Sequence, residues 1–302
     1  MKKTILYSVC LILCIFSYIK CVIKETNIET FLKKSLVHKK SVLISNQGNA
    51  GDALIWYGTV CLFNKIGLNY VISNNPKLFL APKTDVVIYS GGGNLVPYYD
   101  HLATFIKNYM HKIKQLIILP HTIQGHTNLL KSLRSNVIIF CREHMSYKYC
   151  KKVVPFPQNV FFSRDMAFYS NLSAYGNTNY PSRTNDLFAF RTDVEINSAR
   201  QGYVLPSTNK DVSTIGYISG DTSFESNKKL VNHFLSIIAQ YSTIWTDRLH
   251  VGIAAFLLGK KVHFFDNSYG KNHALYKASI APTDLEKKVV FHGVNFSLLP
   301  FS

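Results

Sequence analysis

The chain has 302 residues, 47% of them hydrophobic, enough to bury one large core or two of Rossmann size. Lys and Arg number 34 against 17 Asp and Glu, a net charge of +17 that points to anionic partners: nucleic acid, a membrane surface, or small phosphorylated and carboxylated ligands. The basic residues are scattered without an RNP, zinc-finger or basic-zipper pattern, which argues against nucleic acid, and the six cysteines lack metal-ligand spacing.

Lys2 and Lys3 precede an apolar run from Thr4 to Ile19, which Cys21, Val22 and Ile23 extend past Lys20. That is close to one membrane span, so residues 1–23 are expected to form a transmembrane anchor, with a cleaved signal segment and a buried helix as the rival readings. Lysines 20, 24, 33, 34, 39 and 40 outnumber the cationic groups before the span, which tilts the rest of the chain towards the cytoplasm. Reduced thiols fit that side. A lumenal orientation stays open, and Asn171-Leu172-Ser173 and Asn295-Phe296-Ser297 would there be glycan acceptors.

Val42 to Ser45 reads as a short buried strand, Asn46 to Asp52 as a glycine-containing turn, and Ala53 to Ile66 as a helix stopped at Gly67. The GNAGD turn matches neither GxGxxG nor a P-loop, which argues against a dinucleotide or ATP. Asp52 fits a helix cap and a ligand-facing group equally. Asp85 to Ser90 is a second buried strand, and the three glycines of Gly91-Gly92-Gly93-Asn94 suit a loop pressed against a ligand or another domain. A helix from about Tyr99 to Lys114 leads to a strand, Leu116 to Leu119, that stops at Pro120 and leaves His121, Thr122 and Gln124 in a loop. The strand Val137 to Phe140 ends at Arg142 and Glu143, which either pair with each other or place Arg142 in a cleft. Pro155 and Pro157 mark a boundary, so one Rossmann-like domain is expected over 38–155 and a second over 159–302.

Residues 171 to 186 read as a polar surface loop, Leu187 to Phe190 as a strand running into Arg191-Thr192-Asp193-Val194-Glu195, and Leu230 to Tyr241 as an amphipathic helix. The most informative stretch runs from Thr243 to Asn272. A strand ends at Asp247, an N-cap residue; an apolar helix follows and stops at Gly259; a strand from Lys261 to Phe265 then breaks into a polar loop. In parallel sheets the ligand lies outside the carboxyl ends of the strands, so Arg248 and His250 should share one rim with Asn267 and Lys271. The helix start at Leu249 and His250 offers unpaired N–H groups to an anion, Arg248 adds a planar fork, and His250 can exchange a proton near neutral pH. The plainer reading is that Asp247 caps the helix, Arg248 pairs with it and His250 packs.

DRLHVGIAAFLLGKKVHFFDNSYGKN (247–272) resembles the C-terminal signature of the polysaccharide pyruvyl transferase family. GNAGDALI (48–55), GGGNL (91–95), ILPHTIQG (118–125) and CREHMSY (141–147) resemble its other blocks in the same order. The resemblance implies an α/β fold of two Rossmann-like domains facing a cleft, GT-B-like, and transfer of pyruvate from phosphoenolpyruvate to a sugar of a glycan as a ketal. No cofactor and no metal are expected. A GT-B-like glycosyltransferase using a nucleotide sugar and an inactive glycan-binding homologue are the rivals. Phosphoenolpyruvate carries two anionic groups, for which Arg191, Arg248, Lys271, Asn267 and the Leu249–His250 helix start are the expected binders. The proton for its C3 must come from beside the bound anion, where His250 is best placed because a neighbouring phosphate holds it protonated. Asp52 is the candidate base for the sugar hydroxyl, and Asn49, Asp52, Asn94, His121 and Arg142 are expected on the acceptor side, His121 standing where the family has glutamine.

Overall fold

The computed structural model describes residues 23–46, 48–176, 183–215 and 224–300. The anchor expected over 1–23 therefore lies, apart from Ile23, outside the described residues. Among those described, no helix is long and apolar enough to cross a membrane. A span needs about 20 apolar residues, and the two longest described helices have 16 each. The membrane-anchored placement, cytoplasmic or lumenal, is withdrawn on that finding.

Seven parallel strands form the first sheet: β1 (Ser41–Ile44), β2 (Tyr70–Ile72), β3 (Val86–Tyr89), β4 (Gly92–Leu95), β5 (Leu116–Ile123), β6 (Val137–Cys141) and β7 (Val160–Phe162). Their order is β2-β1-β3-β5-β6-β7, with β4 beside the far end of β5. Runs such as Val42-Leu43-Ile44 and Val86-Val87-Ile88 are apolar on both faces, as strands covered on both sides must be. The order reverses between β1 and β3, so the loops leaving these two strands diverge and open a crevice above their carboxyl ends. A second parallel sheet, ordered β11-β10-β9-β8, is built from β8 (Arg183–Phe188), β9 (Tyr241–Thr246), β10 (Lys261–Phe265) and β11 (Val289–Gly293). The fold is thus mixed α/β with two parallel, Rossmann-like sheets.

The helices that matter to the site are α1 (Ile28–Leu36), α2 (Ala50–Lys65), α3 (His101–Tyr109), α4 (His144–Val153), α5 (Phe224–Ala239), α6 (Leu249–Leu257) and α7 (Lys271–Leu275). Helix α1 precedes the expected domain start at residue 38 yet belongs to the core. Ile28, Leu32 and Leu36, spaced i, i+4, i+8, are buried, and the Phe31 ring meets Phe140 at 5.0 Å. Arg164 fastens the approach to α1 by donating from Nε and Nη2 to the two oxygens of Glu25, each at 2.9 Å.

Two further expectations change. Strand β5 does not stop at Pro120 but continues to Ile123, with its register against β6 shifting between Ile118 and His121. A bulge of this kind lets a strand absorb a residue without an N–H. β7 pairs with β6, so the first sheet extends past residue 159 and the crossing to the second sheet comes after Phe162. Of the polar stretch 171–186, residues 177–182 lie outside the described ones, while Arg183 onward is strand β8.

The two sheets share one continuous apolar cluster. It runs from Leu43, Ile88 and Ile117 through Leu54 and Phe63 of α2 and Phe234 and Ile238 of α5 to Ile244 and Val262. Helix α2 is buried on nearly every side because it lies between the sheets. A hydrophobic junction of this kind holds the halves in one arrangement.

Candidate active site

A cavity of about 420 Å³ lies at the carboxyl ends of both sheets. Asn49, Asp52, Asn94 and Arg142 line it from the first half; Arg191, Arg248, Leu249, His250 and Lys271 line it from the second. Nine of the eleven residues expected at the site thus share one space.

On the first wall, α2 begins with a reciprocal cap. Asn49 Oδ1 accepts from Gly51 N at 2.8 Å and Asp52 Oδ2 accepts from Asn49 N at 3.1 Å. Asp52 therefore caps the helix and faces the cavity at once. Burial raises its pKa above the usual carboxylate value, against the pull of His250 and Arg142. Gly51 is required here, since a Cβ would stand 2.5 Å from His250 Nδ1. The missing side chain lets the imidazole of α6 rest on the start of α2.

His121 and Asn267 stand one layer behind the cavity wall, which corrects their expected contact roles. His121 is fully buried in the continued strand β5, its ring bridging the Leu119 carbonyl at 3.0 Å and the Asn94 side-chain oxygen at 2.8 Å. Burial pushes its pKa down to about 3, so the ring is neutral and its single N–H donates to only one of these two oxygens. Asn267, 1% exposed, donates to Glu195 Oε2 at 3.0 Å and accepts from Lys271 N at 2.9 Å, fixing the start of α7.

Arg142 does not pair with Glu143, whose carboxylate caps α4 by accepting from Met145 N and Ser146 N. It donates instead to Thr122 Oγ1 and to Asp165 Oδ2, both at 2.8 Å. Asp165 is fully buried and 3.6 Å from His250 Nε2. Burial alone would raise its pKa, yet His250 and Arg142 hold it well below the usual carboxylate range.

The second wall carries an alternating ladder of charge. Arg248 donates from Nε to Asp211 Oδ1 at 2.9 Å and from Nη1 to Asp193 Oδ2 at 2.6 Å, and its Nη2 meets Asp211 Oδ2. Arg191 Nε donates to Asp193 Oδ1 at 2.8 Å and its Nη1 to Glu195 Oε2 at 2.7 Å; Lys271 Nζ reaches the same Glu195 oxygen at 2.5 Å. Three acids answer these three bases. An unpaired buried guanidinium costs several kcal/mol, so the chain supplies its own counter-charges. Asp193 and Glu195 were visible beside Arg191 in sequence; Asp165 follows Arg164 and Asp211 follows Lys210, but their partners are the distant Arg142 and Arg248.

Asp247 is not the cap of α6. The N-cap is Arg248, with no side-chain cap bond, and Arg248 N itself donates to Thr246 Oγ1 at 2.9 Å. Asp247 is buried behind it, accepting from Arg191 N and Arg200 Nη1 at 2.7 Å each, and burial pushes its carboxyl up to about 6. The α6 start is left uncapped where Leu249 and His250 line the cavity, a favourable place for an anion. Among the described residues no group of three or more His, Cys, Asp or Glu is arranged to hold a metal ion.

A family model described as polysaccharide pyruvyl transferase matches residues 49–269, which hold every residue lining the cavity except Gly48 and Lys271. The chain belongs to the polysaccharide pyruvyl transferase family. EpsO of Bacillus subtilis (strain 168), described as a pyruvyl transferase, is 30% identical over 268 residues, 74% of this chain and 80% of that one. The crystal structure of a protein of uncharacterised function from Klebsiella pneumoniae subsp. pneumoniae NTUH-K2044 superposes with a TM-score of 0.75 at 32% identity, covering 88% of this chain and 98% of that one. Membership of the pyruvyl transferase family supports a transferase with a polysaccharide acceptor.

Proposed function

We propose that the cavity binds phosphoenolpyruvate and that the protein transfers its three-carbon unit to two hydroxyls of one sugar as a ketal, releasing phosphate. The observation that carries this reading is that His250 and Asp52, from opposite halves, line one cavity together with Arg142, Arg191, Arg248 and Lys271. The cations and the uncapped α6 start suit a ligand with a phosphate and a carboxylate. His250 protonates C3, making C2 electrophilic, and Asp52 accepts the proton of the attacking sugar hydroxyl; a raised carboxyl pKa makes it the stronger base once ionised. The C2–O bond to phosphate then breaks and a second hydroxyl closes the ring. Of the two hydroxyl protons released, one restores His250 and the other leaves on phosphate. A second cavity of about 270 Å³, lined by Ile123, Met145, Tyr149 and Tyr269 and sharing Lys271 with the first, gives room for more of the acceptor.

The test is incubation of the full chain with phosphoenolpyruvate and a glycan panel, and separately with nucleotide sugars. Phosphate release matched by pyruvyl mass gain on one glycan is the expected result. Nucleotide release instead would establish the glycosyltransferase reading, and turnover on neither donor would favour a glycan-binding homologue.

A further inference from the structure

Within the charge ladder, Asp193 differs from the other two acids. Its side chain is 32% exposed, against 4% for Glu195 and 7% for Asp211. It also lies between two guanidinium groups, themselves only 3% and 6% exposed. Asp193 Oδ2 accepts from Arg248 Nη1 at 2.6 Å and from Arg191 Nη2 at 3.3 Å, while Oδ1 accepts from Arg191 Nε at 2.8 Å. All three residues line the cavity. Two buried arginines converging on one accessible carboxylate form the fork by which proteins hold an external carboxylate or phosphate.

We propose that Asp193 is a built-in counter-anion that fills the donor's anion position until the donor displaces it, and so selects donors carrying more than one anionic group. The two deeper acids are suited to stay. Asp211 grips two nitrogens of Arg248, and Glu195 is held by Arg191, Lys271 and Asn267, so both keep the bases oriented. Asp193, the most exposed of the three, also accepts from Glu195 N at 3.1 Å and is the acid with room to turn outwards. A monoanion such as acetate exchanges one carboxylate for another and gains little. A donor with a phosphate and a carboxylate gains contacts beyond the arginine pair, at the α6 start and Lys271. The identity of that donor rests on the phosphoenolpyruvate reading, whereas the displacement needs only an anion.

The experiment is calorimetric titration of the full chain and of Asp193→Asn and Asp193→Ala with inorganic phosphate, alone and with acetate present, with circular dichroism confirming the fold. Phosphate should bind both variants about tenfold more tightly than the wild type, since a competing like charge has been removed. Acetate should compete with phosphate in Asp193→Ala, where it fills the vacated place, and leave the wild type unaffected. Weaker or unchanged phosphate binding in both variants, or acetate acting equally on all forms, would overturn the proposal and make Asp193 a positioning residue for the arginines. A parallel titration with phosphoenolpyruvate separates the two claims. If phosphate binding tightens while phosphoenolpyruvate binds no better than phosphate, the displacement stands and the donor assignment falls.

Discussion

His250 Nε2 is buried, has no hydrogen-bond partner among the described residues, and stands 3.6 Å from Asp165 Oδ2. That distance is an ion-pair separation and not a hydrogen bond, so the carboxylate faces the ring without fixing its proton. Asp165→Asn should therefore lower kcat by about 10²-fold or more while leaving the KM for phosphoenolpyruvate nearly unchanged. His250→Ala should remove turnover and retain donor binding. Steady-state kinetics beside a donor titration check both; a raised KM with normal kcat in Asp165→Asn would remove the acid assignment.

Lys271 gives a pH dependence of known sign. Burial pulls its pKa down to about 8 against the opposing pull of Glu195. A lysine loses its charge as pH rises, so kcat/KM for the donor should fall above about pH 8, and Lys271→Arg should carry activity to higher pH. Deprotonation of Lys271 does not itself weaken the fold there. With the folded pKa below the unfolded one, the unfolded chain binds more protons between about 8 and 10.5, so this group's contribution to stability rises with pH there. A profile of kcat/KM from pH 6 to 10 on both forms decides it.

Arg248 and Asp211 are 6% and 7% exposed. Arg248→Ala should cost about 3–5 kcal/mol of stability because it strands a buried carboxylate. Arg248→Ala combined with Asp211→Ala should recover much of that loss without recovering activity. Urea denaturation of the two variants reads the difference, and equal stability would show that the pair is not coupled.

Gly58, inside α2, reverses the usual rule for a helical glycine. Alanine would gain about 1 kcal/mol of helix propensity, but its Cβ would stand 1.9 Å from the Met166 carbonyl oxygen, which is backbone and cannot swing aside. Gly58→Ala should destabilise the protein by about 1–3 kcal/mol net. A higher midpoint in urea would show that the segment at Met166 yields.

Much of the site was legible because β9, α6 and β10 form one local unit whose loops must meet at the strand ends. Arg248, His250 and Lys271 followed from that rule, and Asn49, Asp52, Asn94 and Arg142 from the corresponding loops of the first sheet. What the sequence hid was non-local. Nothing near Arg142 announces Asp165, and nothing near Arg248 announces Asp211, because the partners come together only when the sheets pack. His121 was misplaced because proline usually ends a strand, whereas here a register shift carries β5 past it. Helix α1 was overlooked although Ile28, Leu32 and Leu36 carry its period, since five of its nine residues are charged or hydroxylated and they dilute the signal.

The most direct measurement is a calorimetric titration of phosphoenolpyruvate into the full-length wild type, Arg248→Lys and Asp52→Asn. Saturable binding to the wild type, loss of it when the planar fork becomes a point charge, and its survival in Asp52→Asn would place the donor on the second wall. No binding to the wild type, or equal affinity in Arg248→Lys, would contradict the account.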